Sequence, residues 1–180
     1  MRIISGTFKG RHFQLPTNLK ARPTTDFAKE SLFNILTNQM DLEGIEVLDL
    51  FAGTGSIGLE FVSRGAARVT CVEQYAPHVQ FIRSCAQKLD VHNLLLVKGD
   101  AYRYIQSCGR KFDLVFADAP YADPLLPEIP ARVLEAGLLN PGGCLVVEHS
   151  KANHFDQHPL FREMREYGSV HFSFFWMPKE

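Results

Sequence analysis

The sequence predicts an α/β fold, an open and mostly parallel sheet finished by an antiparallel hairpin, and three observations predict it. From Gly44 onward, short apolar runs rich in Val, Leu or Phe alternate with longer amphipathic segments. Runs that are continuously apolar mark strands covered on both faces, as in a parallel sheet with helical crossovers. The first run carries a carboxylate to its end and then turns on glycines, in Glu46-Val-Leu-Asp49-Leu-Phe-Ala-Gly53-Thr-Gly55. The last two runs, 161–167 and 170–177, flank Gly168-Ser169 as the arms of a hairpin do.

In chain order, Arg2-Ile-Ile-Ser and Arg11-His-Phe-Gln-Leu lie around Gly6 and Gly10 and predict a small hairpin that Pro16 ends. Thr24 or Thr25 is placed to cap a helix through Phe27, Leu32, Phe33, Ile35 and Leu36, whose spacing sets an apolar stripe on one face. Strands are predicted at 47–50, 68–72, 94–97, 112–117 and 144–148. Between them, a helix opens at Ser56, where Gly58 permits close approach to the preceding strand. Further helices are predicted at 77–89, 101–107 and 125–138, the last ended by Gly137 or by Asn140-Pro141-Gly142-Gly143.

With 180 residues, 46% hydrophobic and 22% charged, the chain suits one well-buried globular unit, residues 1–180. No apolar run approaches the ~20 residues of a membrane span, and the first residues lack the apolar core of a secretory signal, so a cytoplasmic location is expected. Cys71, Cys85, Cys108 and Cys144 are scattered within apolar segments without a CxxC pair and read as reduced core thiols. His154 and His158 stand four apart without a third ligand nearby, so no metal is expected. Net charge is −1, yet Arg2, Lys9, Arg11, Lys20, Arg22 and Lys29 face only Asp26 and Glu30 in the first 30 residues. That local excess is either a solvated face or a basic edge for a polyanion.

In an open parallel sheet, ligands collect at the carboxyl ends of the strands near the reversal of strand order. Four acids stand at those ends: Asp49, Glu73, Asp100 and Asp118. Each either caps a helix or faces a ligand. Glycines at 53 and 55 let backbone N–H groups approach that ligand, and Glu73 stands 20 residues past Gly53, the distance at which an acid reaches the hydroxyls of an adenosine ribose. Gly53-Thr-Gly-Ser-Ile-Gly58 also spells the dinucleotide pattern, which keeps an NAD(P)-dependent oxidoreductase as an alternative. Against it, Asp49 repels a pyrophosphate and attracts a cationic cofactor such as S-adenosylmethionine. Asp118-Ala-Pro-Tyr121, moreover, has no purpose in a dehydrogenase.

These residues resemble the class I methyltransferases with a D/N-P-P-Y motif, and the whole chain resembles the RsmD family of 16S ribosomal RNA guanine-N2 methyltransferases. The resemblance rests on Arg2-Ile-Ile-Ser-Gly6 with Lys9-Gly10-Arg11, on Arg22-Pro23-Thr24-Thr25-Asp26, and on Asp49-Leu-Phe-Ala-Gly-Thr-Gly-Ser-Ile-Gly-Leu-Glu60. It runs on through Phe112-Asp-Leu-Val-Phe-Ala-Asp-Ala-Pro-Tyr121 to Tyr167-Gly168. It implies a Rossmann-like fold with a seven-stranded sheet, in which residues 1–40 form an RNA-contacting extension and 41–180 the catalytic core. S-adenosylmethionine is the implied cofactor, held by Asp49, Phe51, Gly53, Gly55, Glu73, Asp100 and Ala101. Asp118, Ala119, Pro120 and Tyr121 are the implied catalytic residues, and Arg2, Lys9, Arg11 and Arg22 the RNA contacts. The implied partner of this expected monomer is 16S rRNA, in the small ribosomal subunit or an assembly intermediate.

Ala119 departs from the family, which has proline there. In related enzymes the acid's side chain and the next residue's carbonyl accept hydrogen bonds from the target amino group, and alanine still supplies that carbonyl; what it lacks is the fixed φ. A non-catalytic RNA-binding relative is therefore a further alternative. A C5-pyrimidine methyltransferase is excluded, because that reaction needs a cysteine nucleophile and none adjoins the fourth strand.

Overall fold

The computed structural model describes residues 1–19 and 24–180. In order, its elements are α1 (Asp26–Gln39), β1 (Glu46–Leu50), α2 (Ser56–Ser63), β2 (Arg68–Glu73), α3 (Ala76–Lys88), β3 (Leu94–Lys98), α4 (Ala101–Ser107), β4 (Phe112–Ala117), α5 (Ile129–Glu135), β5 (Leu139–His149), β6 (Phe161–Tyr167) and β7 (Val170–Trp176). The seven strands form one sheet in the order β3-β2-β1-β4-β5-β7-β6. β1 to β5 are parallel, while β7 pairs antiparallel with both β5 and β6, so the expected architecture is present. Strand order reverses between β1 and β4, and both the glycine loop and Asp118 leave the sheet there.

Side-chain alternation divides the core into two layers. Val47, Leu114, Phe116, Cys144 and Val146 join the layer that contains α1 and α2 residues such as Leu32 and Phe61. Leu48, Leu50, Val115, Ala117, Leu145 and Val147 join the other layer, with Ile105 and Ile129. By the same alternation Asp49, Asp118 and Glu148, at the ends of three adjacent strands, belong to the first face. Within the first helix the cap is Thr25, whose hydroxyl accepts from the Ala28 N–H at 3.2 Å.

Three elements differ from expectation. The N-terminal hairpin is shorter than expected: Arg2 bridges His12, and main-chain hydrogen bonds join Met1 to Phe13 and Ile3 to Arg11 and Gly10. Its pairing stops because the Ile4 and Ser5 N–H groups donate instead to the Glu60 carboxylate, at 2.9 and 3.0 Å. The segment predicted as one helix over 125–138 divides into a 3-10 turn, Leu126–Glu128, and the short α5, which Gly137 follows at φ +68°. Asn140-Pro141-Gly142-Gly143, expected as a terminator, lies inside β5 as an irregularity. Leu139 pairs with Phe112 and Cys144 with Leu114, so four residues stand opposite Asp113 alone. Asn140 ties that bulge down through its side-chain amide to Asp113 at 3.1 Å. A Cβ on Gly143 would come within 2.9 Å of the Asn140 carbonyl oxygen.

Candidate active site

The loop after β1 is shaped by backbone conformations that few residues tolerate. Phe51, Gly53 and Gly55 all have positive φ, at 59°, 57° and 79°, and a non-glycine residue held in that region is strained. Phe51 is retained there with its ring edge-on to Tyr102 at 5.4 Å. Gly58 then opens the way for α2 to press on the sheet: a Cβ there would lie 2.5 Å from Cys71 Sγ and 3.1 Å from Asp49 Oδ2. The Gly58 N–H donates to Asp49 Oδ2 at 3.0 Å, so the closest helix-to-strand contact also orients the acid.

Asp49 is buried, and desolvation raises its carboxyl from 3.8 to about 8, opposed by the Gly58 hydrogen bond and assisted by the charge of Glu73. Glu73 is committed to its own chain: Oε1 accepts from the Gly53 N–H at 2.8 Å, and Oε2 from the Tyr75 N–H at 3.0 Å. His78 Nδ1 lies 3.3 Å from the same Oε2, while His78 Nε2 is buried without a partner among the described residues. Glu73 therefore latches the glycine loop from the neighbouring strand. Asp100 does cap α4, accepting from the Arg103 N–H at 3.0 Å, and still lines the cavity beside Ala101.

That cavity has a volume of about 1070 Å³. At one end stand Glu73, Asp100 and Ala101; at the other stand Asp118, Ala119, Pro120, Tyr121 and Glu148. Phe51 and Gly53 line it as well and carry it into a smaller recess that reaches Asp49. Gly55 lines neither space; its missing side chain makes room for Ile82, which a Cβ would approach to 2.9 Å. The acids of the cavity are Glu73, Asp100, Asp118, Asp123 and Glu148, and no Lys or Arg lines it among the described residues. Phosphates are repelled by such a wall and cations drawn to it. A second hollow, of about 630 Å³, lies by Gly6 and Arg64 at the opposite end of the sheet, and its acids, Asp41 and Glu43, are exposed.

Asp118 and Glu148 are the paired acids at the second end of the cavity. Burial, the Glu148 charge and a hydrogen bond with Glu148 push the Asp118 carboxyl well above its ordinary range. Burial likewise raises Glu148, against hydrogen bonds from Asp118, Tyr121 and Thr24. Two carboxyls this close hold a proton between them, since both cannot ionise cheaply. Tyr121 is 43% exposed, leaving its ring free at the rim while its hydroxyl donates to Glu148 Oε2 at 3.4 Å. Ala119 is buried in the cluster that contains Leu126 and Ile129, so its methyl fills core volume.

Sequence reasoning missed Glu148, His78 and Lys29. Glu148 also ends a predicted strand and carried the same signal as Asp49 and Asp118. Lys29 reads as a surface residue of a helix, yet it is buried, with Nζ 3.1 Å from Glu60 Oε1 and donating to Ser56 Oγ at 3.0 Å and the Arg2 carbonyl at 2.9 Å.

The expected RNA contacts are dispersed. Arg2 pairs with Asp26 at 3.0 Å, one residue from Thr25 on the cavity wall. Arg11 reaches the Lys88 carbonyl at 3.5 Å, and Lys9 follows Thr7 and Phe8, which hydrogen-bond Ser63. Lys88 and Ser63 are the last residues of α3 and α2, at the end of the sheet opposite the cavity. Arg22 lies outside the described residues. Among those residues no cluster of His, Cys, Asp or Glu is arranged to hold a metal, and no helix is long and apolar enough to cross a membrane.

Comparison with known proteins agrees with this geometry. The model of a family described as Conserved hypothetical protein 95 matches residues 1–176. Ribosomal RNA small subunit methyltransferase D of Escherichia coli is 34% identical over 154 residues, 85% of this chain and 76% of that protein. The protein of that name from Haemophilus influenzae is 32% identical over 158 residues, 84% of this chain and 79% of its own length. The solved structure of the Escherichia coli protein yhhF superposes with a TM-score of 0.88 at 30% identity, covering 100% of this chain and 99% of that one.

Proposed function

This chain belongs to the Conserved hypothetical protein 95 family, the RsmD family that its motifs resemble, and on that premise we propose that it methylates the exocyclic N2 amino group of a guanine in small-subunit ribosomal RNA. The observation that carries the reading is the cavity at the switch between β1 and β4, lined by acids and apolar side chains with no Lys or Arg among the described residues, which suits a cationic methyl donor and an uncharged base better than a dinucleotide.

The residues fit S-adenosylmethionine. Asp49 and Glu73 are the acids for its cationic amino-acid end and its ribose, Phe51 and Ala101 the apolar wall, and Gly53 the point of close backbone approach. When bound, this cofactor would supply a sulfonium methyl for the amine nitrogen, the N–C bond forming as the S–C bond breaks and the neutral thioether leaves. The chain's own task is to prepare that amine, whose lone pair is delocalised into the base. Asp118 and the Ala119 carbonyl accept its two N–H bonds and turn it out of conjugation. Tyr121 stacks on the base, worth ~1 to 3 kcal/mol. The Asp118–Glu148 pair stabilises the developing ammonium and takes the proton it releases, a role favoured by the raised affinity of both groups for protons.

Residues 1–40 serve in this reading as the RNA-contacting edge and 41–180 as the catalytic core. The test pairs calorimetry with transfer of labelled methyl to small subunits from a strain lacking the enzyme. The expected results are binding of S-adenosylhomocysteine without NAD binding, and N2-methylguanosine in the digested RNA. Asp118→Ala should retain that binding and lose turnover by about 10²-fold or more. NAD binding, or turnover undiminished in Asp118→Ala, overturns the reading.

A further inference from the structure

We propose that Glu148 is the residue that selects guanine, accepting its N1–H while Asp118 and the Ala119 carbonyl accept from the adjacent 2-amino group. The inference rests on the guanine-N2 reading above and adds the base-reading residue to it. Glu148 is 7% exposed; Oε2 accepts from Tyr121 at 3.4 Å, and Oε1 is buried with no donor at full hydrogen-bonding geometry among the described residues, the Asp118 carboxyl and the Thr24 hydroxyl being the looser neighbours of this side chain. A buried acceptor left open on a cavity wall is costly unless a donor arrives.

Position and chemistry identify that donor. Ala117 pairs with Val147, so one step further along the parallel ladder Asp118 and Glu148 stand side by side on one face of the sheet. Glu73, at the cofactor end, is three strands away, about 14 Å at a strand spacing of ~4.8 Å. Glu148 thus faces the base rather than the ribose. Guanine presents N1–H and the 2-amino group as neighbouring donors on its Watson–Crick edge, which two adjacent carboxyls and a carbonyl complement. The pair's proton sits on Asp118, whose hydrogen bond favours the ionised form of Glu148, so a purine with a bare N1 lone pair meets the Glu148 carboxylate as acceptor against acceptor. Sites built to pair a buried polar group reject analogues that lack it far more strongly than apolar pockets reject a methylene. Tyr121 holds Glu148 in place from the rim, which couples the stacking ring to the reading carboxylate.

The test uses small subunits assembled around RNA ligated to carry either guanine or 2,6-diaminopurine at the methylated position. Diaminopurine keeps the 2-amino group and exchanges the N1–H for a lone pair. Wild-type protein should prefer guanine by about 10²-fold or more in kcat/KM. Glu148→Gln, whose amide can donate to N1, should reduce that preference at least tenfold by gaining transfer to diaminopurine, with S-adenosylhomocysteine affinity unchanged. Glu148→Ala should lose transfer to guanine without that gain. An unchanged preference in Glu148→Gln, or loss of both transfers together in that variant, overturns the assignment of Glu148. Failure of wild-type protein to methylate guanine N2 at all overturns the reading beneath it instead.

Discussion

Asp49 shows how a single residue is asked to serve folding and ligand at once. In the folded chain its carboxyl sits near 8, raised chiefly by burial, whereas an unfolded aspartate titrates near 3.8. The folded state therefore binds this proton more tightly, and stability must fall as pH rises from the unfolded value through the folded one. Each unit in that window is worth up to ~1.4 kcal/mol. Asp49→Asn keeps an oxygen for the Gly58 N–H and cannot ionise, so it should match wild type near pH 4 in urea unfolding and exceed it by ~2 kcal/mol or more at pH 8. The same variant should bind S-adenosylmethionine more weakly, with a deficit that grows as pH rises through about 8 and the wild-type carboxyl ionises. A stability difference that does not change with pH would falsify the burial argument. Asp49 was legible in the sequence because it ends an apolar run before glycines. Glu148 carried an equal signal, but what distinguishes it, adjacency to Asp118, depends on β5 lying beside β4, and strand order is not written in any local pattern.

At the scale of elements, the agreement between pattern and structure follows how local the cause is. β1, β2, β4 and the glycine loop were legible because burial on both faces and positive φ leave direct residue signatures, whereas β3, a half-buried edge strand, was legible only from its run of Leu and Val. The bulge at 140–143 was not, since Pro and two Gly signal a turn equally well at the end of a helix or inside a strand that another strand holds in register. Nor was the clamp between Lys29, Glu60 and Arg64, because charged residues on helices ordinarily face solvent. That clamp limits the length of the N-terminal hairpin: Glu60 takes the Ile4 and Ser5 N–H groups that further strand pairing would have used. The packing of α2 on the sheet yields the sharpest test. In an open helix Gly58→Ala should stabilise by up to ~1 kcal/mol through propensity. Here the new methyl enters the space of Cys71 Sγ and crowds Asp49 Oδ2, both on buried strands. Overpacking should prevail, giving a net loss of about 1 to 3 kcal/mol in unfolding free energy. Because the displaced atom belongs to Asp49, cofactor affinity should fall with it. The double variant Gly58→Ala with Cys71→Ala should recover much of both losses; stability unchanged in the single variant would mean that α2 is free to move outward.

On the scale of the whole molecule, topology sorts the charges into ends. The acids collect where β1, β4 and β5 end, and part of the basic excess of the first 30 residues goes elsewhere: Lys9 follows Phe8, which is tied to the last residue of α2, and Arg11 reaches the end of α3, while Arg2 stays by the cavity. The composition of the N-terminal segment gave its sign of charge and could not give this division, which arises from the chain running the length of α2 before it returns to α1. For a base drawn into the cavity, its own phosphates must remain outside, where the half-exposed Arg2 of the segment stands by Asp26, next to Thr25 of the cavity wall. A folded chain of 180 residues has a radius of gyration of roughly 16 Å, so cations at the far end meet only RNA that wraps well beyond the target nucleotide. Arg2→Ala should therefore reduce kcat/KM for the ribosomal particle severalfold, with the deficit narrowing as salt rises and screens the contact in wild type. The paired change Lys9→Ala with Arg11→Ala should cost less than Arg2→Ala on a short RNA hairpin carrying the target, and more on the intact particle, where a larger surface can reach that end. Both comparisons are read from initial rates at two salt concentrations with cofactor saturating. If the paired variant is the more damaging one even on the short hairpin, the RNA approaches along α2 rather than over the cavity mouth.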